Sequence, residues 1–208
     1  KVTAMQNPRM IYDMGGFPQK LYEVVYNAPG DPELAKNIIN SIQNPVIEED
    51  HKWGFDHGTW SVLTHAFPEA NIPLIQLSLD RTRDLNYHYN LGKQLSYLRK
   101  KGVLIVGSGN IVHNLPMIFQ TGDKPADWAL EFDHYIEKSI INQTHDKVIN
   151  YQSFGKVAEL SVNSAEHYIP LLYILGTQNN KDKVVFSNTK NTSSLLGIGM
   201  RCVKLQPS

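Results

Sequence analysis

Apolar residues recur every three or four positions in five stretches of the chain, and each stretch predicts a helix with one buried face. Leu34, Ile38 and Ile42 follow Asp31-Pro32, an N-cap with proline at the first helical position. Trp60, Leu63 and Phe67 follow Gly58-Thr59, and Pro68 stops that helix. Leu91, Leu95 and Leu98 mark a third. It ends in the cationic cluster Arg99-Lys100-Lys101, which opposes the helix dipole, and in Gly102. Trp128, Phe132, Ile136 and Ile140 form a fourth stripe. Ser164 stands where it can cap a fifth helix holding Ile169, Leu172 and Leu175, with Gly176 at its end.

Shorter runs lie between them. Residues 72–79 have strand character. Val103-Leu104-Ile105-Val106 is a continuous apolar run between two glycines, which predicts a buried central strand. The small-residue loop Gly107-Ser108-Gly109-Asn110 follows it directly. Residues 184–186 and 198–205 predict closing strands, and the Asn/Lys-rich stretches 178–182 and 188–194 predict surface loops. This alternation predicts an α/β fold with a mixed, largely parallel central sheet and helices on both faces.

Bulk properties narrow the field. A length of 208 residues predicts one domain over 1–208, and 41% hydrophobic against 19% charged residues suits a real core. Twenty basic residues balance twenty acidic ones, so no net field draws the chain to nucleic acid or to an anionic membrane. Cys202 is the one cysteine, which excludes an intrachain disulfide and fits a reducing, cytoplasmic setting. No apolar run reaches the length of a membrane span. Val2-Thr3-Ala4-Met5 reads as a strand already under way, which predicts sequence upstream of Lys1.

Three of the eight histidines are placed for chemistry. His57 precedes a helix in Phe55-Asp56-His57-Gly58. His113 follows the central strand's loop. His167 lies in the first turn of a helix, after Ser164-Ala165-Glu166. Open α/β sheets bind ligands beyond the carboxyl ends of their strands, where loops bring distant residues together. The plainer reading of each is a cap or a solvated group, and no His-x-x-x-His spacing forces a metal. Gly107-x-Gly109 is half a dinucleotide fingerprint, with Val112 at the third glycine position. Ser108 lacks the Gly-x-Ser-x-Gly elbow of a hydrolase. Asp56 is a sequence neighbour of His57, a position from which a carboxylate seldom orients an imidazole. The other five histidines, His51, His65, His88, His134 and His145, read as surface or satisfied structural groups.

Five blocks together resemble the 4,5-DOPA dioxygenase branch of the extradiol ring-cleavage dioxygenases. They are Tyr12-Asp13-Met14-Gly15-Gly16-Phe17-Pro18, Asp56-His57-Gly58-Thr59-Trp60-Ser61-Val62-Leu63, and Ile72-Pro73 through Gln76-Leu77-Ser78. The fourth runs from Gly102 through Gly107-Ser108-Gly109-Asn110 to His113-Asn114-Leu115, and the fifth from Glu166-His167-Tyr168 to Tyr173. The resemblance implies a single catalytic domain that opens a catechol such as DOPA with O2 at a mononuclear non-haem metal. That metal is Fe(II), with zinc able to occupy the same site. It implies His167 as a metal ligand, His113 as ligand or acid–base group at metal and substrate, and His57 as a second active-site histidine. This chain lacks the family's Ser/Gly-His-Gly and Ser-x-His-Trp motifs, whose histidines supply further ligands, so the domain is expected without its N-terminal strands. Ala165 replaces a usual proline, and Pro116 stands where an arginine is common. A zinc-dependent hydrolase and a non-catalytic binding relative are the alternatives. Oligomeric state is not written in the sequence.

Overall fold

The computed structural model describes residues 1–117, 126–188 and 197–207, and the chain divides into two units, Lys1–Leu79 and Asp80–Ser208. In the first unit, β1 (Val2–Thr3) pairs in parallel with β2 (Glu49–Asp50). Between them lies α1 (Pro32–Ser41), capped as its sequence predicts: the Asp31 carboxylate accepts from Leu34 N at 2.9 Å. Its apolar face buries Ala35 and Ile38. Residues 72–79 form no named strand; isolated bridges join Leu77 to Val2 and Leu74 to Gly30, and Thr3 N donates to Gln76 O at 3.0 Å. α2 (His57–Ala66) begins one residue before the expected glycine, so His57 is itself the first helical residue. Trp60 and Leu63 on its inner face pack with Tyr26, Ala28 and Phe55 into the core of this unit.

The second unit is mainly helical. α3 (Leu85–Leu95) tightens into a 3-10 turn, Ser96–Lys101, and stops at Gly102 with φ 76°, the left-handed terminator expected there. α4 (Asp127–Ile141), α5 (His145–Ile149), α6 (Lys156–Ser161) and α7 (Ile169–Gly176) follow. Phe132, Ile136 and Ile140 of α4 meet Tyr168, Leu172 and Leu175 in one buried cluster. α3 and α7 lie backbone to backbone. A Cβ at Gly92 would stand 2.5 Å from the Tyr173 carbonyl oxygen, so only glycine permits that approach. β3 (Lys183–Ser187) and β4 (Cys202–Gln206) form an antiparallel pair in register from Lys183–Gln206 to Ser187–Cys202. The expected strand 198–205 therefore starts late, and Ile198 makes only an isolated bridge to His113.

The chain is a mixed α/β protein, and its sheet content is small. Among the described residues, hydrogen-bonded strands form two two-stranded sheets, one parallel and one antiparallel, in place of a largely parallel central sheet. Residues 103–106 show why the sequence pattern pointed elsewhere. They belong to no ladder, and Leu104 and Val106 are 67% and 50% exposed. A four-residue apolar run becomes a buried strand only when neighbouring strands cover it, and none of the described segments pairs with this one. Its end rests on α7: a Cβ at Gly107 would meet the Pro170 carbonyl and the Ile174 side chain. Of the expected surface loop 188–194, residues 189–194 lie outside the described residues.

Candidate active site

The loop after residues 103–106 is folded onto the helical turn that carries His167. Asn110 N donates to the His167 carbonyl at 2.8 Å. Gly109 makes this contact possible, because a Cβ there would lie 2.2 Å from that same carbonyl. The glycine in the Gly-Ser-Gly-Asn loop is thus explained by backbone approach to a helix, not by an anion. His113 is fixed by its own backbone. His113 N donates to Ser161 O at 2.8 Å, and the residue bridges Val162 on one side and Ile198 on the other.

These two anchors bring His113 and His167 face to face. Their ring centroids are 3.6 Å apart with planes inclined by 7°. The two rings have different surroundings. Asn110 Nδ2 donates to the Gly199 carbonyl at 2.9 Å, which turns Asn110 Oδ1 toward His167 Nδ1 at 3.2 Å. An amide oxygen only accepts, so Nδ1 of His167 carries a proton, and whenever that imidazole is neutral its lone pair lies on Nε2. His113 Nδ1 is buried with no hydrogen-bond partner among the described residues. Burial, helped by the neighbouring His167 charge, pushes the His113 imidazole below its ordinary value, against a smaller opposite pull from Glu166. His113 is therefore held as the neutral base near neutral pH.

A cavity of about 420 Å³ opens beside the same turn, lined by Glu166, Ser164, Arg81, Arg83, Asn86 and Gln152 among others. Ser164 was expected to cap with its side chain; instead its hydroxyl donates to Glu166 Oε1 at 2.7 Å. Burial raises the Glu166 carboxyl. The Ser164 hydrogen bond and the nearby Arg81 and His167 charges outweigh this and hold it below the ordinary carboxylate range.

His57 lies in the other unit. Asp56 does not orient it; that carboxylate accepts from the Trp53 indole N–H and from the Gln76 amide. The partner is Asp13, which is 44 residues away in sequence and whose Oδ1 accepts from both His57 N and His57 Nδ1 at 2.9 Å. Asp13 and Asn110 are the histidine partners that the sequence reading did not single out. Each stood inside a quoted block, Tyr12-Asp13-Met14-Gly15-Gly16 and Gly107-Ser108-Gly109-Asn110, and a polar residue among glycines and apolar neighbours was the available signal. Of the remaining histidines, His51, His65 and His134 are exposed, while His88 is fully buried with Nδ1 3.0 Å from the Tyr173 hydroxyl.

The described residues do not by themselves form a metal centre. No group of three or more His, Cys, Asp or Glu side chains among them could hold an ion, whereas a non-haem iron site of the facial kind takes three protein donors. No helix among the described residues is long and apolar enough to cross a membrane.

Comparison with known proteins gives this geometry a setting. Residues 2–198 match the family described as the catalytic LigB subunit of aromatic ring-opening dioxygenase. A 4,5-DOPA dioxygenase extradiol of Escherichia coli K12 is 40% identical over 188 residues, covering 88% of this chain and 69% of the relative. The protein of the same name from Mirabilis jalapa is 37% identical over 184 residues, with the same coverage of 88% and 69%. A crystal structure of an uncharacterized Escherichia coli K12 protein superposes with a TM-score of 0.78 at 32% identity, covering 100% of this chain and 80% of that one.

Proposed function

The chain belongs to the family of the catalytic LigB subunit of aromatic ring-opening dioxygenases, and we propose that it opens a catechol such as DOPA beside the diol, with His113 as acid–base group and His57 as a second proton-handling group. The enzyme class, extradiol ring-cleaving dioxygenase, rests on that membership and on relatives of that name at 37–40% identity. The observation that carries the residue assignment is the stack: a desolvated, neutral His113 whose face is covered by His167 and whose Nδ1 has no partner among the described residues.

Extradiol cleavage adds both atoms of O2 and breaks the ring bond next to the diol. A proton must leave a catechol hydroxyl early, and one must be returned when the O–O bond breaks. A histidine that is neutral at working pH takes the first proton, and the imidazolium so formed supplies the second. Burial that disfavours the charged form makes His113 a ready donor once it has been protonated.

The metal implied by the family, Fe(II) in this reading and zinc as an occupant of the same site, would find one donor in His167. Its Nδ1–H is committed to Asn110, an arrangement typical of a ligating imidazole. With His113 beside it, the donors found among the described residues are still short of three. The polar cavity at Glu166 and Arg81 supports a ring bearing a charged substituent.

The test is oxygen uptake and ring-opened product with a panel of catechols, using Fe(II)-loaded full-length protein and its His113→Ala variant. Retained wild-type turnover in the variant would remove His113 from the mechanism. Hydrolysis of an ester or amide without oxygen uptake would turn the assignment to a zinc hydrolase.

A further inference from the structure

We propose that Asp13 is a positioning residue for His57: its Oδ1 fixes the ring with the proton on Nδ1 and so makes Nε2 a proton acceptor. This rests on the reading of His57 as an active-site group and adds what that group can do.

One carboxylate oxygen receives two donors from one residue, His57 N and His57 Nδ1, both at 2.9 Å. A carboxylate has no proton to give, so Nδ1 must carry the hydrogen whenever the imidazole is neutral. Burial raises the Asp13 carboxyl, but the hydrogen bonds from the His57 backbone and ring outweigh it, and the group stays ionised. In water the neutral imidazole prefers its proton on Nε2. Asp13 therefore imposes the less favoured tautomer.

Asp13 is not a loose surface carboxylate that chanced on a histidine. Its segment is stitched to the segment bearing His57 by Ile11 N to Phe55 O at 2.8 Å and Trp60 Nε1 to Ile11 O at 3.0 Å. The Tyr12 ring lies against Trp60 with centroids 5.5 Å apart. Trp60 is buried, so these ties hold from the core outward. The carboxylate side of the ring is thus fixed, while the His57 side chain remains 44% exposed. A ring held at one nitrogen and open elsewhere can accept from a bound molecule at Nε2 and cannot donate there until protonated.

A capping role explains only half of the contact. α2 receives no side-chain cap from Asp56, and Asp13 supplies the missing acceptor to His57 N. Capping does not require the bond to Nδ1, and that bond separates the two accounts. Asp13→Ala removes cap and tautomer control together. Asp13→Asn can restore both, since one amide oxygen at the Oδ1 position accepts from both donors.

The experiment is long-range ¹H–¹⁵N correlation of the histidine rings in the 208-residue chain at alkaline pH, where imidazoles are neutral. His57→Gln assigns the signal. We expect His57 as the Nδ1–H form in the wild type, a shift to mainly Nε2–H in Asp13→Ala, and return to Nδ1–H in Asp13→Asn. A wild-type His57 with its proton on Nε2, or an Asp13→Ala spectrum unchanged at His57, overturns the proposal and leaves Asp13 as a cap only. In Fe(II)-loaded full-length protein, Asp13→Ala should lower kcat by about tenfold or more with little change in KM, and Asn should recover most of it. Unchanged turnover in His57→Gln would overturn the active-site reading of His57, an outcome distinct from any change in tautomer.

Discussion

His57 and His113 carry the same side chain and are prepared in opposite ways. His57 is about half exposed, and an ionised carboxylate grips one ring nitrogen. His113 is desolvated, stacked on another imidazole, and given no partner at Nδ1 among the described residues. A carboxylate contact chooses a tautomer, and so decides which nitrogen accepts. Desolvation chooses a charge state, and so decides when a proton is held. In one case the local structure fixes direction, in the other it fixes readiness. A reaction that moves a proton out and then back has use for both.

The contrast breaks first at His113. His113→Ala should lower turnover with a catechol by about a hundredfold or more, while His134→Ala on the exposed face of α4 leaves it within a factor of two or so. Comparable losses in both, measured as oxygen uptake, would mean that the effect comes from the fold. The support beneath the stack is the next place to press. Gly109→Ala puts a Cβ 2.2 Å from the His167 carbonyl. The loop must shift, and a misplacement of about 1 Å is enough to cost on the order of a hundredfold in rate. Leu172→Ala, in the fully buried cluster beneath α7, should lower unfolding stability by about 2–5 kcal/mol in denaturant titration.

Charge state can be sharpened through pH. Burial depresses His88 and His145 as well as His113. Their folded values lie below the unfolded value of about 6.5. As pH falls through that value the unfolded chain takes up protons first, so stability is full above it and declines below it. Thermal melts from about pH 8 down to about pH 5.5 should show that decline; a flat profile would contradict the lowered values of these three histidines. The smallest expected effect is at the cavity. Arg81→Ala should raise KM for a catechol bearing a carboxylate by a few-fold, in keeping with about 1 kcal/mol or less for an exposed charge. For unsubstituted catechol KM should hardly move.

How far the sequence could be read depends on what each element needed. α1 was legible because cap, proline and apolar spacing all lie within a few residues, and α7 because Ile169, Leu172 and Leu175 recur at helical spacing. The 3-10 stop at Gly102 was legible for the same reason. Residues 103–106 were not, because a run of Val, Leu and Ile states that a strand can be buried but not that anything lies beside it. His113 and His167 were legible as candidates from their positions. Their stacking was not, because it depends on Gly109 yielding to the His167 carbonyl and on Asn110 being turned by Gly199. Asp13 was the least accessible: its contact with His57 spans 44 residues of chain, and the nearer Asp56 offered itself first.

Under the proposed function, protons pass through the half-buried, neutral His113. The most direct measurement is the pH dependence of kcat/KM for catechol-dependent oxygen uptake by Fe(II)-loaded full-length protein. The account predicts one O2 consumed per ring opened, an acidic limb lying below the ordinary imidazole value of about 6.5, and loss of that limb in residual His113→Ala activity. Absence of oxygen uptake at any pH, or an acidic limb unchanged by the His113 substitution, would contradict it.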